Sequence, residues 1–345
     1  MAYTTVNKAT DYFNTKLYTG NGGTNAITGV GFQPDIIWCK ARSYNDDHTI
    51  TDAVRGNTKV VYPNNTNAEA TSSSRVTAFG TDGFTLGTSG DVNSNNDTYA
   101  SWNWKAGGGQ GSSNTDGSIN TTYTSVNTTA GFSISSFTGT GANATVGHGL
   151  GVAPKVIITK SLANAENWGF YHESLGNTKQ LVLNSNAAQT GASAAYYNNY
   201  SPTSSVFYVG TADSTNDAAN MIAYCFAEKT GYSKFGSYSG NGNNDGTFVY
   251  TGFKPAFVIV KATATTDNWT MYDDKRIGYN PKNYFLYPNL NNAEDTSNPQ
   301  WFDMYSNGFK IRSTSSTTNT SGNKYIYMAF GQSLVGSNNV PCTAR

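Results

Sequence analysis

Short apolar runs, each introduced by proline and closed by lysine, recur three times along the chain. They occupy residues 34–40 (PDIIWCK), 154–160 (PKVIITK) and 255–261 (PAFVIVK), with one proline-to-lysine spacing. A continuous apolar run of this length predicts a strand buried on both faces, and proline is tolerated at a strand start. The Asp-Gly pair at 82–83 and the Asn-Gly pair at 307–308 predict tight hairpins, because such turns need positive φ. The pattern therefore predicts many short strands joined by turns.

Four further sequence anchors recur in the same order as these runs. They are an aromatic-small-Gly turn (18–22, 137–141, 238–242), an apolar stretch leading to Asn and then Ala-Glu or Ala-Gln (60–69, 181–189, 285–294), a hairpin before phenylalanine (82–84, 205–207, 307–309) and a closing aromatic strand (102–104, 224–226, 328–330). The period is too long for a solenoid, and each copy is long enough to bury a core of its own. We therefore predict three tandem modules.

The predicted boundaries follow from the repeat and from local composition. The first module spans residues 1–106, the second 118–231 and the third 232–333. The Gly/Ser-rich segment 107–117 is expected to be a flexible linker, and residues 334–345 form a C-terminal tail. Short strands with regular turn signals, together with abundant Gly, Thr, Tyr and Phe, predict an all-β fold. The predicted architecture is three tandem β-sandwich modules of a jelly-roll-like type.

The charge and the cysteine content indicate which partners to expect and in which cellular compartment the chain folds. Lys+Arg and Asp+Glu both number 22, so the net charge is zero and we expect no nucleic-acid partner, since that needs clustered cations. No apolar run suits membrane insertion, and the first residues do not resemble a secretory signal. Three unpatterned cysteines, Cys39, Cys225 and Cys342, predict no disulfide framework. Folding in a reducing cytoplasm is therefore expected, with Cys39 and Cys225 as buried thiols.

No motif in the sequence carries recognisable catalytic, metal or cofactor chemistry. The three histidines form no zinc-protease pattern, and no nucleophile elbow is present. The carboxylate pair at 273–274 precedes Lys275 and Arg276, which favours ordinary ionised surface groups. Residues 91–97 (DVNSNND) are similar to a calcium loop but lack its glycine and final glutamate, so a polar loop is favoured over calcium. We predict no catalytic residues, no metal site and no cofactor.

Two tryptophans at equivalent repeat positions are the candidate contact residues. Trp168 and Trp269 each follow an asparagine, and the strands continue to Tyr171 and Tyr272. If exposed, these aromatic side chains beside amides could stack on a sugar or contact a partner. If buried, they alternate inward along a strand as core, which is the favoured interpretation. The alignment places Asp47-His48 at the corresponding position of the first module.

Several segments together resemble a known family of repeated modules. They are residues 12–22 (YFNTKLYTGNG), 29–35 (GVGFQPD), 102–108 (WNWKAGG), 235–242 (FGSYSGNG), 251–255 (TGFKP), 325–330 (YIYMAF) and 340–345 (VPCTAR). The chain resembles modules found in predicted virion structural proteins of marine tailed phages, those that infect cyanobacteria and abundant marine heterotrophs. The likeness covers nearly the whole chain but is not specific for one place on the particle.

The resemblance implies a virion protein that is made and folded in the host cytoplasm and has no catalytic residues. The first hypothesis is a capsid decoration, knob or fibre component that contacts other capsid or tail proteins and forms a homo-oligomer. The alternative is a host-receptor or glycan-binding tail adhesin that recognises a host surface glycan. A glycan-degrading enzyme is disfavoured, because it needs two carboxyl groups at a set separation. Burial of Trp168 and Trp269 would favour the first hypothesis, and an exposed groove beside either would favour the second.

Overall fold

Antiparallel sheets account for nearly all the regular structure of the computed structural model, which describes residues 4–277, 280–282, 284–297, 301–333 and 335. The all-β fold class is confirmed. Apart from Val335, the predicted tail lies outside the described residues, and so does Cys342.

The three predicted modules contain the following strands and short helices. The first contains β1 (Phe13–Thr19), β2 (Asn25–Thr28), β3 (Ile36–Ala41), β4 (Thr49–Asp52), β5 (Lys59–Val60), β6 (Ala70–Thr71), β7 (Val76–Gly80), β8 (Gly83–Leu86), α1 (Gly90–Asn93) and β9 (Thr98–Trp104). The second contains β10 (Thr121–Asn127), β11 (Phe132–Thr138), β12 (Ala144–Gly147), β13 (Val156–Ser161), β14 (Gly169–His172), β15 (Leu181–Val182), α2 (Ala194–Tyr197), β16 (Val206–Val209), α3 (Asp213–Asn216) and β17 (Asn220–Phe226). The third contains β18 (Ser233–Ser239), β19 (Phe248–Tyr250), β20 (Phe253–Ala262), β21 (Thr270–Asp273), β22 (Phe302–Tyr305), β23 (Gly308–Ile311), α4 (Ser316–Asn319) and β24 (Lys324–Ser333). Two 3-10 helices lie at Ala9–Asp11 and Glu173–Leu175.

One strand order recurs in the main sheet of each module. It is β1-β9-β3-β4 in the first, β11-β17-β13-β14 in the second and β18-β24-β20-β21 in the third. The second sheet is longer, because β10 and β15 extend its two edges. The run after each proline forms β3, β13 or β20, which lies beside the closing aromatic strand. A smaller sheet accompanies each main sheet, in the orders β2-β8-β7, β12-β16 and β19-β23-β22.

Alternate residues of the closing strand belong to two different apolar cores. In β24, Tyr325 and Tyr327 pack with the smaller sheet of the third module. Met328 and Phe330 point the other way, into a central cluster. Since successive side chains leave opposite faces of a strand, both faces of these sheets are covered. This arrangement explains why the runs after the prolines are apolar at consecutive positions.

The central cluster is common to all three modules. Trp104, Phe226 and Phe330 occupy equivalent places in β9, β17 and β24, and their rings meet at its middle. The ring centroids are 6.4 Å apart for Trp104 and Phe226, 5.7 Å for Trp104 and Phe330, and 5.8 Å for Phe226 and Phe330. The expectation of a separate core for each module therefore needs correction. Each module has a small cluster of its own, and the opposite faces of the three main sheets share one core.

A buried asparagine in each module joins the end of a short helix to the Gly-rich turn. The side-chain amide of Asn319 donates to the carbonyl groups of Ser313 and Asn243, and its Oδ1 accepts a backbone N–H from that turn. Asn93 and Asn216 make the same set of bonds in the first and second modules. Burying an amide side chain is unfavourable unless its N–H groups and its oxygen all form hydrogen bonds, and here they do. The repeated asparagine therefore holds each turn in one geometry.

The Gly/Ser-rich segment 107–117 packs along β10 instead of hanging free. The amide of Gly107 donates to Ser125 Oγ over 3.0 Å. Gly111 has a φ of +76°, and a Cβ there would lie 1.9 Å from the carbonyl oxygen of Thr124. Glycine is needed at this position because the two backbones touch. The glycines at these positions therefore serve close approach, and the flexibility of the segment stays a prediction.

Candidate functional site

Trp168 and Trp269 lie at the junctions between modules. Their exposures are 0% and 1%, respectively. The indole N–H of Trp168 donates to the carbonyl of Tyr62, in the first module, over 2.9 Å. The indole N–H of Trp269 donates to the carbonyl of Val182, in the second module, over 3.1 Å. Each tryptophan therefore fastens its own module to the preceding one.

His48 takes the corresponding position at the junction between the first and third modules. Its backbone N–H donates to Asn64 Oδ1 over 2.9 Å, as the backbone N–H groups of Trp168 and Trp269 do to asparagines of their own modules. Its ring Nδ1 accepts from an indole of the first module, so Nε2 carries the proton and donates to the carbonyl of Tyr287 over 3.1 Å. The first module thereby bonds to the third.

A second set of equivalent bonds runs around the same three junctions. Each bond joins a backbone N–H at the Ala-Glu or Ala-Gln anchor to a carbonyl in the next module. The bonds are Glu69 to Leu162 (2.9 Å), Gln189 to Thr263 (2.8 Å) and Glu294 to Arg42 (2.9 Å). A repeated unit that contacts its neighbour in one sense forms a ring when the last unit meets the first. The three main sheets therefore form a closed ring, with approximate three-fold repetition, around the shared core.

The junction that closes the ring carries a bidentate ion pair. Arg42 donates through Nε and Nη2 to the two carboxylate oxygens of Glu294, over 3.0 and 2.8 Å. The side chains are 17% and 6% exposed. Paired N–H···O bonds of this kind are among the stronger polar contacts in proteins. No peptide segment links the two modules directly, so this contact bears on ring closure.

Buried ionic groups also lie at the junctions. Arg276 donates through Nε to Asp273 over 2.6 Å, and Trp102 of the first module donates to the same carboxylate over 3.1 Å. Burial alone would raise the pKa of Asp273, but the Arg276 guanidinium and its hydrogen bonds hold that pKa below its usual value. The expectation of ordinary surface carboxylates is therefore wrong for Asp273, because its cationic partner lies inside the ring with it. Asp52 and Arg55 form the corresponding pair in the first module.

Tyr171 and Tyr272 are enclosed between the main and smaller sheets of their modules. Tyr171 packs edge to face on Tyr197 with 5.1 Å between centroids, and burial raises its pKa to about 12. Tyr272 stacks on Phe302 at 4.5 Å, and burial raises its pKa also. With Trp168 and Trp269, all four candidate contact residues are interior, so an external ligand has no access to them. Any binding surface must therefore be sought elsewhere.

The other chemistry-bearing side chains are engaged in internal contacts. Burial raises the pKa of the Cys39 thiol to about 12, which makes its thiolate scarce at neutral pH. In the segment 91–97, Asp91 pairs with Arg75, and Asp97 accepts from Ser43 Oγ over 2.9 Å. Within the described ranges, no group of three or more His, Cys, Asp and Glu side chains is placed to hold a metal ion. Across the same ranges, no helix has both the length and the apolar character needed to span a membrane.

One exposed face stands out in the third module. We call the outer side of the β19-β23-β22 sheet the aromatic face; it carries Phe248, Tyr250, Trp301 and Tyr305, whose exposures are 44%, 55%, 46% and 38%. These residues alternate with Val249 on β19 and with Phe302 and Met304 on β22, which are buried in the core of the third module. The sequence analysis missed this face, although its signal is the alternation of aromatic residues around Val249.

Aromatic residues do not flank the corresponding inward residue of the first and second modules, although Tyr208 of β16 carries an outward ring in the second, stacked on Tyr200. Val249 pairs with Phe309 as Ile27 pairs with Phe84 and Val146 pairs with Phe207. The neighbours of Ile27 are Ala26 and Thr28, and those of Val146 are Thr145 and Gly147. The inward residue is thus apolar in every module, whereas outward aromatic residues flank it only in the third.

Comparison with known proteins gives one family and no function. No curated protein and no solved structure matches the chain significantly. The model of a family described as "Domain of unknown function (DUF7483)" matches residues 8–333. That match covers all three main sheets, from β1 to β24. The chain therefore belongs to the DUF7483 family.

Proposed function

We propose that this chain is a non-enzymatic structural component of a bacteriophage virion, acting through contacts with capsid or tail proteins. The observation that carries the proposal is the closed ring of three repeated sheets around one shared core. A ring whose junctions are buried and hydrogen-bonded is a rigid block, and rigid blocks suit static assemblies. The sequence resemblance to phage virion modules supports the same reading.

The buried polar side chains form contacts between modules, which supports a structural role over a glycan-degrading one. His48 and Trp168 bond across junctions, and Asp273 pairs with Arg276 there. A glycosidase instead needs two carboxyl groups that face a shared, accessible cleft. The burial of Trp168 and Trp269 also meets the condition under which we favour an assembly role.

The experiment is to locate the protein on purified particles of the virus that encodes it. Peptide mass spectrometry would first establish its presence and copy number, and cryo-electron microscopy would then place its density. Density at regular capsid positions would identify a decoration protein, and density on the tail would identify a fibre or knob. Absence of the protein from purified particles would refute the proposal.

A host-receptor or glycan-binding tail adhesin is the second candidate. The aromatic face favours it, because exposed clusters of this kind mark binding surfaces more often than inert ones. Homo-oligomer formation remains a prediction for either candidate, and light scattering on the purified chain measures it.

A further inference from the structure

We infer that the aromatic face of the third module binds a neutral glycan through stacking on its rings and hydrogen bonds to its rim. The inference names the ligand of the adhesin candidate and rests on that proposed function for its biological role. Binding of a sugar by the isolated chain does not require a place on a particle. The two proposals can therefore fail independently.

Two of the exposed rings form a small apolar floor, and Lys310 of the central strand and Arg312 just after it project from the same side of the sheet. The rings of Phe248 and Tyr305 lie 6.1 Å apart at an interplanar angle of 62°. Gly308 lies opposite Tyr305 in β22 and opposite Tyr250 in β19, and a Cβ at Gly308 would come within 2.9 Å of the Phe248 ring. The missing side chain thus lets the two rings approach one another across the strand. Such a floor matches the C–H face of a pyranose ring, which is apolar.

Polar groups stand on the same side of the sheet as the rings. Tyr305 donates its hydroxyl proton to Asp303 Oδ2 over 3.0 Å, and Arg312 Nε lies 3.4 Å from that oxygen. Arg312 is opposite Trp301 in the strand pairing, where its backbone N–H donates to the Trp301 carbonyl. Sugar hydroxyl groups both donate and accept, so a rim of carboxylate, guanidinium and phenol groups can satisfy them.

The charges of the rim compensate one another. Lys310 and Arg312 both pair with Asp245, over 2.5 and 3.1 Å, and Arg312 also reaches Asp303. Two cations and two carboxylates therefore neutralise each other, and Lys234 adds one further cation at the edge of the face. An acidic glycan or a nucleic acid would meet this single cation and not a cluster of positive charge. A neutral ligand fits this balance better.

The side chain of Lys234 covers part of the Tyr250 ring, so a sugar must displace it to stack there. Its ammonium lies over the Tyr250 ring, 5.6 Å from the centroid. This cation–π contact is weak at an exposed site, and the lysine side chain is flexible. A ligand can therefore displace it, and Lys234→Ala should leave binding unchanged or strengthen it.

The chemistry of the face suits a sugar, because exposed aromatic rings and hydrogen-bonding side chains stand together on it. Aromatic residues and arginine are equally typical of protein interfaces, so the experiment has to separate the two occupants. Four exposed aromatic residues lie together in the third module, whereas the second carries the smaller pair of Tyr200 and Tyr208, so the fold does not require the larger group. A second copy of the chain is the competing occupant, and the experiment below separates the two.

The test uses the purified full-length chain on an array of immobilised neutral oligosaccharides built from glucose, galactose, mannose and N-acetylglucosamine. The bound members are then titrated in solution by calorimetry. We expect binding to at least one neutral series, with Phe248→Ala and Tyr305→Ala each weakening the Kd about tenfold, which equals about 1.4 kcal/mol. Both side chains are exposed, so circular dichroism should show the fold of each variant unchanged.

The matched control is Tyr200→Ala in the second module. Tyr200 is 56% exposed and stacks on Tyr208 with 4.9 Å between centroids, in a different module from the aromatic face. Its loss should leave the Kd unchanged. Absence of binding to every neutral series, binding that survives both face variants, or equal loss in Tyr200→Ala would overturn the inference. A dimer in light scattering that Phe248→Ala dissociates, without sugar binding, would show that a second copy covers this face.

Discussion

The indole of Trp104 and the phenyl ring of Phe330 pack edge to face, with 5.7 Å between centroids and 73° between planes. They hold the same place in the first and last modules, since Trp104 pairs with Ile36 in β3 and Phe330 pairs with Phe257 in β20. Residues from opposite ends of the chain thus meet in one core. Stability of the three modules should therefore be coupled.

Phe330→Ala is expected to destabilise the whole ring. The side chain is 1% exposed, and large-to-small changes of buried phenylalanine cost about 3–5 kcal/mol. Urea unfolding followed by tryptophan fluorescence and by far-ultraviolet circular dichroism should show one shifted transition with both probes. Two separated transitions, with only one moved, would contradict a shared core. Tyr200→Ala, on the surface, should shift stability by no more than about 0.5 kcal/mol.

Arg42→Ala is expected to weaken the junction that closes the ring. It leaves the carboxylate of Glu294, whose side chain is 6% exposed, with Arg276 at 3.4 Å in place of its bidentate partner, at a cost of about 1–3 kcal/mol. A double-mutant cycle with Glu294→Ala should give a coupling energy above about 1 kcal/mol. The exposed pair of Lys8 and Asp11 is the control, and Lys8→Ala should cost less than about 1 kcal/mol. Equal effects would mean that closure does not depend on this contact.

Trp168→Phe should cost more than Trp104→Phe. The first change removes an indole N–H that bonds to the Tyr62 carbonyl, leaving that acceptor unsatisfied for about 1–2 kcal/mol. The indole N–H of Trp104 has no acceptor within the described part of the chain. Moreover, the equivalent residues Phe226 and Phe330 show that phenylalanine fits that place. The two free energies of unfolding, measured side by side, decide the order.

Stability should fall as the pH drops from about 6.5 towards 4, partly because of His172. Burial holds its pKa down at about 4, against the opposing effects of its bond to the Tyr327 carbonyl and of Glu173. The unfolded chain binds the proton near pH 6.5 while the folded chain does not, so protonation favours unfolding in this window. The lowered pKa of His172 corresponds to a loss of up to about 3 kcal/mol in the free energy of unfolding once the pH falls to about 4.

The check is the free energy of unfolding of wild type and His172→Gln at pH 7, 6, 5 and 4.5. The wild-type slope should be the steeper one, because glutamine does not titrate. His48 and His148, whose pKa values burial also lowers, should give the variant a residual slope of the same sign. Parallel curves for the two proteins would contradict the assignment.

Local pattern was sufficient to predict the strands and their repetition. The apolar runs at 34–40, 154–160 and 255–261 contain most of β3, β13 and β20; β3 and β13 are buried at every position, and β20 at all but two. This succeeded because a strand with two covered faces needs consecutive apolar residues, which is a short-range signal. The module boundaries and the jelly-roll-like connectivity stay predictions.

Tertiary structure decided what those buried faces touch. Nothing near Trp168 in sequence shows that its indole bonds to Tyr62, and nothing near Arg42 shows that Glu294 closes the ring. Those partners are chosen by the packing of whole sheets, which depends on contacts between distant parts of the chain. Alternation also fails to tell a buried aromatic residue from an exposed one where both faces of a sheet carry them, as around Val249. The sequence by itself determined the all-β elements and their three-fold repetition, whereas the shared core, the closed ring and the aromatic face emerge only when the sheets assemble.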